Sequence, residues 1–135
     1  MKEIKLKASL DNMDDVLRFV EDELDRVGST ERLRIQMDVA VEEVFVNIAS
    51  YAYGESSGDA TVIVDFDEDP KAIRVTFIDS GIPYNPLEKE DPDITLSSEE
   101  RQIGGLGIYM VKKSMDDMLY GYKDGQNILT IVKRM

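Results

Sequence analysis

Apolar residues recur at helical spacing from Val16 to Tyr51 and then, from Thr61 on, alternate along two extended runs; this change of period limits the folds open to the chain. Val16, Phe19, Val20, Leu24 and Val27 form one helical face, and Leu33, Met37, Val41, Val44, Ile48 and Tyr51 form a second. Ser9 or Asp11 is placed to cap the first helix and Gly28 to close it. Ser29 and Thr30 are placed to cap the second, which is expected to run to about Tyr53. After the turn-rich stretch 54–59, Val62, Val64 and Phe66 alternate with Thr61, Ile63 and Asp65. Ile73, Val75 and Phe77 repeat the pattern beyond a turn at Asp67–Pro70. A short strand around Ile4, Leu6 and Ala8 comes first. A Gly-led helix over Gly104–Asp117, with Leu106, Met110 and Val111 apolar, precedes strands Met118–Tyr122 and Ile128–Lys133, joined at Lys123-Asp124-Gly125. The expectation is one α+β domain over residues 1–135, a two-layer α/β sandwich with a mostly antiparallel sheet and helices on one face.

The net charge of −12 excludes a nucleic-acid partner, which needs a basic face. No apolar run is long enough for a membrane span, and the absence of cysteine makes the cytoplasm the expected compartment. The chain has no histidine, so proton transfer near neutral pH falls to carboxylates, Lys, Tyr or water, and a metal would be held by oxygen, which suits Mg, Ca or Mn. Any polyphosphate ligand must overcome the negative field through a divalent cation and backbone N–H groups.

At about 100° per residue, Asn47 lies beside the apolar arc of the second helix, Glu43 lies one step further on the same side, and Glu42 points away. Glu43 and Asn47 therefore share a border of the core one turn apart, where a polar side chain needs partners. A satisfied surface pair is the plain account of that helix taken alone. Strand parity puts Asp79 on the side of Val75 and Phe77, aiming a carboxylate inward just before Ser80-Gly81. It reads either as a turn cap or as a pocket floor that accepts from a ligand N–H such as an adenine amino group. Gly104-Gly105-Leu106-Gly107 opens a helix with exposed N–H groups, an ordinary helix entry or an anion site. From Ser80 to Ile103 the chain is rich in Pro, Asp, Glu and Ser without a period, as in a functional loop.

In this order, Glu43-Val-Phe-Val-Asn47, Asp79-Ser-Gly-Ile-Pro83 and Gly104-Gly-Leu-Gly-Ile108 resemble the three boxes of the GHKL (Bergerat-fold) ATPases. Within that superfamily, nearly the whole chain is similar to the anti-sigma-factor serine/threonine kinases. The resemblance implies ATP and Mg2+ as cofactors, with Glu43 as general base and Asn47 as the metal ligand. Asp79 would take the adenine amino group, with Gly81 giving it room. Residues 84–103 would be the ATP lid, and Gly104, Gly105, Leu106 and Gly107 would meet the phosphates. Tyr51 stands where the family often has His, and Asn127 where a Thr usually helps bind adenine. Arg101 is the nearest counterpart of an Arg that some members place inside the third box.

The function expected from this resemblance is a regulatory kinase that phosphorylates a small anti-sigma-factor antagonist of STAS type and binds a sigma factor. A homodimer through the first strand and helix is compatible with it. A non-catalytic ATP-binding interaction module of the same fold stands against the kinase. A domain without nucleotide would leave Glu43, Asn47 and Asp79 unexplained near the core.

Overall fold

The Thr30 cap forms as expected, whereas Ser9 caps a 3-10 turn ahead of the first helix and not the helix itself. In the computed structural model, which describes residues 1–54, 56–88 and 105–135, Ser9 Oγ accepts from Asp11 N–H at 3.3 Å and starts a short 3-10 turn over Leu10–Asn12. Helix α1 (Met13–Arg26) follows. Gly28, at φ +69, ends it in a Schellman arrangement, with Gly28 N–H on Asp25 O at 3.1 Å and Ser29 N–H on Leu24 O at 3.1 Å. Val27 therefore lies past the last turn and is 37% exposed instead of completing the apolar face. Thr30 Oγ1 accepts from Leu33 N–H at 3.2 Å and opens α2 (Glu31–Asn47).

The α-helical ladder of α2 gives way at Ile48 to a π-helical turn, Ile48–Ala52. A π turn advances less per residue than an α turn, which shifts the wheel's phase. Tyr51, expected on the buried arc, is accordingly 57% exposed.

Strands β1 (Lys2–Lys7), β2 (Asp59–Glu68), β3 (Lys71–Asp79), β4 (Asp117–Lys123) and β5 (Gln126–Arg134) form one sheet in the order β1-β2-β3-β5-β4. Every neighbouring pair is antiparallel. The turn between β4 and β5 narrows to Asp124-Gly125, both at positive φ (54 and 76), the geometry of a two-residue hairpin. Helix α3 (Gly105–Ser114) precedes β4. It buries Ile108 and Val111, with Met115 just beyond it, whereas Met110 points outward at 53% exposure. The α+β sandwich expected from the sequence is the observed architecture.

One sheet face carries Val62, Val64, Val75, Phe77 and Ile131, all buried against Val20 and Leu24 of α1 and Met37, Val44 and Phe45 of α2. Each such side chain removed from water contributes about 1.5–3 kcal/mol. A single helix cap contributes about 1 kcal/mol, so the core sets the fold and the caps set the ends of the helices. Residues 89–104, and with them most of the expected lid, Arg101 and Gly104, lie outside the described residues. No helix among the described residues is long and apolar enough to cross a membrane.

The seam between α1 and α2 is acidic. Arg34 bridges Glu21 at 3.2 Å and Asp25 at 3.1 Å. Burial, then the hydrogen bond with and charge of Glu21, push the Asp38 carboxyl up to about 6; Arg34 opposes this and Glu42 adds to it. Asp38 Oδ1 is buried without a hydrogen-bond partner among the described residues. Because the folded value lies above the unfolded one, ionised Asp38 costs stability above pH 6, and the cost is relieved as pH falls through that value. Asp38→Asn is therefore expected to raise the melting temperature at pH 7.5 by about 3 °C, as ~1 kcal/mol does in a domain of this size once solvent screening is allowed for. The gain should vanish by pH 4. Thermal melts at the two pH values check this, and an equal gain at both would clear the carboxylate of blame.

Candidate functional site

A cavity of about 180 Å³ opens where β3 ends and β5 begins, beside the last turns of α2. Its walls are apolar, with Val44, Ile48, Phe77, Ile108 and Leu129 among them, and Tyr51, Ile82, Pro83 and Tyr84 are its exposed members. Asp79 and Asn127, each only 6% exposed, are the polar groups on the sheet side. The volume is below the ~300 Å³ at which whole small-molecule pockets begin. It suits a flat heterocycle and leaves any charged tail outside.

Asp79 and Asn127 face each other across the β3–β5 register. Asp79 Oδ1 accepts from Gly81 N–H at 2.9 Å and from Asn127 Nδ2 at 3.0 Å. The carboxyl thus caps its turn and also lines the cavity, so the two readings of this residue coexist. Its Oδ2 accepts from no donor among the described residues. The turn it caps is pressed onto the end of α2: Ile82 N–H donates to Ala52 O at 2.7 Å, and a Cβ at Gly81 would overlap the same carbonyl. Glycine is required there by close backbone approach. The π turn brings Ala52 to that position. Tyr53 adds a second tie, its hydroxyl accepting from Ser80 N–H at 2.9 Å and donating to Asp59 O at 2.6 Å.

On α2, Glu42 is exposed while Glu43 and Asn47 are half-buried, as the wheel predicts. Asn47 lines the cavity; Glu43 lies outside it, with its carboxylate against Gly107, where an added Cβ would overlap Glu43 Oε2. Gly107, in the first turn of α3, is thereby brought beside Glu43. Among the described residues no three metal-ligating side chains come together. Any divalent ion would rest on Asn47 together with ligand oxygens and water, the mode Mg2+ favours.

Sequence reasoning gave no role to Ala52, Tyr53 and Tyr120, and counted Tyr84 only as the start of the expected lid. Tyr120 was within reach: a two-residue turn at Asp124-Gly125 pairs it with Leu129 and so puts it on the inward face. Ala52 was not, because its role depends on the π turn.

The sequence profile of the histidine kinase-like ATPase domain matches residues 6–133. The chain belongs to this family. The GHKL resemblance of anti-sigma-kinase type carried by its three boxes is borne out. A serine-protein kinase RsbW of Bacillus mycoides is 32% identical over 97 residues, covering 69% of this chain; the chain spans only 59% of that relative. The serine/threonine-protein kinase BtrW of Bordetella bronchiseptica is 24% identical over 128 residues, covering 95% of this chain and 89% of the relative. A crystal structure of the RsbU and RsbW domains of Rv1364c from Mycobacterium tuberculosis superposes with a TM-score of 0.66 at 13% identity, over 99% of this chain and 32% of that one, and shares the fold.

Proposed function

We propose that this domain binds Mg-ATP and transfers the γ-phosphoryl group to a serine or threonine hydroxyl of a small partner protein. The observation that carries the reading is Asp79: a carboxylate on the floor of a purine-sized apolar slot, one oxygen tied to the protein and the other without a donor among the described residues. That oxygen accepts the exocyclic amino group of adenine; the 6-oxo group of guanine would meet it as a second acceptor. Asn47 holds the metal ion, which supplies charge neutralisation for polyphosphate against a net charge of −12. The N–H groups of Gly105 and Gly107 meet the phosphates at the start of α3.

Glu43 acts at the phosphate end. It orients the acceptor hydroxyl and takes its proton as the oxygen forms its bond to phosphorus, while the bond to the ADP leaving oxygen breaks. With no histidine in the chain, the carboxylate that lies against the first turn of α3 takes this part. The kinase names of the relatives support the transfer step. The acceptor is a small anti-sigma-factor antagonist, a sigma factor is the alternative partner, and the reaction belongs in the cytoplasm, where ATP is available.

Calorimetry tests the binding half. ATP is expected to bind at least about tenfold more tightly with Mg2+ than with chelator, and more tightly than GTP, one hydrogen bond to a charged group being worth about that factor. Equal binding of GTP would remove the base-reading role of Asp79. Labelled ATP with candidate partner proteins tests the transfer half. Tight binding with no label on any of them would leave a non-catalytic ATP-binding module.

A further inference from the structure

The side-chain amide of Asn127 has every hydrogen-bonding position filled by the protein. Nδ2 donates to Asp79 Oδ1 at 3.0 Å and to Ile82 O at 2.9 Å. Oδ1 accepts from Tyr84 N–H at 3.1 Å and from the Tyr120 hydroxyl. The two backbone partners decide which end is nitrogen, because an N–H can only donate and a carbonyl can only accept. A primary amide offers two donors and two acceptor lone pairs, so none remains for a ligand. Asn127 nonetheless lines the cavity and is 6% exposed.

Its bonds run to three separate parts of the site. Asp79 is at the end of β3, Ile82 and Tyr84 belong to the segment after it, and Tyr120 is on β4. A carboxylate can rotate about its last torsion at little cost. Gly81 N–H and Asn127 Nδ2 converge on one oxygen of Asp79 and so leave the other as the one turned toward a ligand. Resting on the adenine-binding role proposed for Asp79, we infer that Asn127 is a positioning residue. It makes no hydrogen bond to the nucleotide, and it sets selectivity for the 6-amino group by holding the Asp79 carboxylate in one orientation.

The test removes the interacting group from the ligand as well as from the protein. ATP is compared with purine riboside 5′-triphosphate, which lacks the 6-amino group, in the wild type and in Asn127→Leu, with calorimetry for affinity and circular dichroism for the fold. Wild type is expected to prefer ATP by about tenfold, the worth of one hydrogen bond to a charged acceptor. In N127L that ratio should fall to near one, with the 6-unsubstituted nucleotide bound within about twofold of wild type. A parallel loss of both nucleotides would overturn the inference, because Asn127 would then support the base or the wall directly; so would an unchanged ratio.

Asn127→Asp guards against a variant that fails to fold, since it keeps the shape and the acceptor but loses both donors. It should bind ATP poorly at pH 8 and regain the preference toward pH 5, where a proton shared by the facing carboxyls restores a donor. A flat pH profile would count against the inference. A wild type that binds both nucleotides equally removes the role of Asp79 and the inference with it, while leaving nucleotide binding intact. A wild type that binds neither removes the functional reading itself.

Discussion

Asp79→Asn is expected to weaken ATP binding about 100-fold while moving the melting temperature by no more than a few degrees. The substitution leaves an oxygen that Gly81 N–H and Asn127 Nδ2 can still address, so the turn at the end of β3 survives. What changes is the other atom, where an acceptor becomes an N–H2 donor facing the donor of adenine. A hydrogen bond to a charged group is worth about 1.5–3 kcal/mol, and the donor–donor encounter adds to that loss; about 2.7 kcal/mol corresponds to 100-fold. Titration calorimetry on the folded variant measures it. ATP affinity within about threefold of wild type would mean that Asp79 is a turn cap and nothing more.

Glu43→Gln should lower phosphoryl transfer about 1,000-fold and change ATP affinity only a few-fold. A positioned general base typically contributes 100- to 10,000-fold, and the amide keeps the volume against Gly107 while giving up the proton acceptor. Glu43 stands outside the cavity, so the binding of the base does not depend on it. Glu42→Ala is the internal control, since the adjacent side chain is exposed and should leave both quantities unchanged. Single-turnover transfer of labelled phosphate to the partner protein separates the two steps. Equal losses for the Glu42 and Glu43 variants would refute the assignment of roles along α2.

What the sequence revealed depended on how local the cause was. Periodicity placed α1, α2 and all five strands, because the amphipathic pattern of each is written in its own residues. It also separated Glu42 from Glu43 and turned Asp79 inward, since both deductions need only the phase of a regular element. The errors arose where a regular element stopped. Val27 was placed on the apolar face although α1 had already ended, and Tyr51 was placed inside because the wheel assumed α geometry through a π turn. The filled amide of Asn127 was beyond reach for another reason. Its four partners come from Asp79, Ile82, Tyr84 and Tyr120, which only the β3–β5 and β4–β5 registers bring together.

The hydrogen bond from Ile82 N–H to Ala52 O has a consequence for how this fold can change length. Asn47 and Ala52 lie on one continuous helical piece, and Asp79 and Ile82 on one tight turn, so the bond closes a short rigid circuit between Asn47 and Asp79. One residue inserted between Asn47 and Ala52, or between Asp79 and Ile82, would slide Asp79 against Asn47 and spoil their spacing for a nucleotide of given size. Among descendants of this chain, the number of residues within the two short segments is therefore as tightly constrained as the identities of Asn47, Asp79 and Gly81.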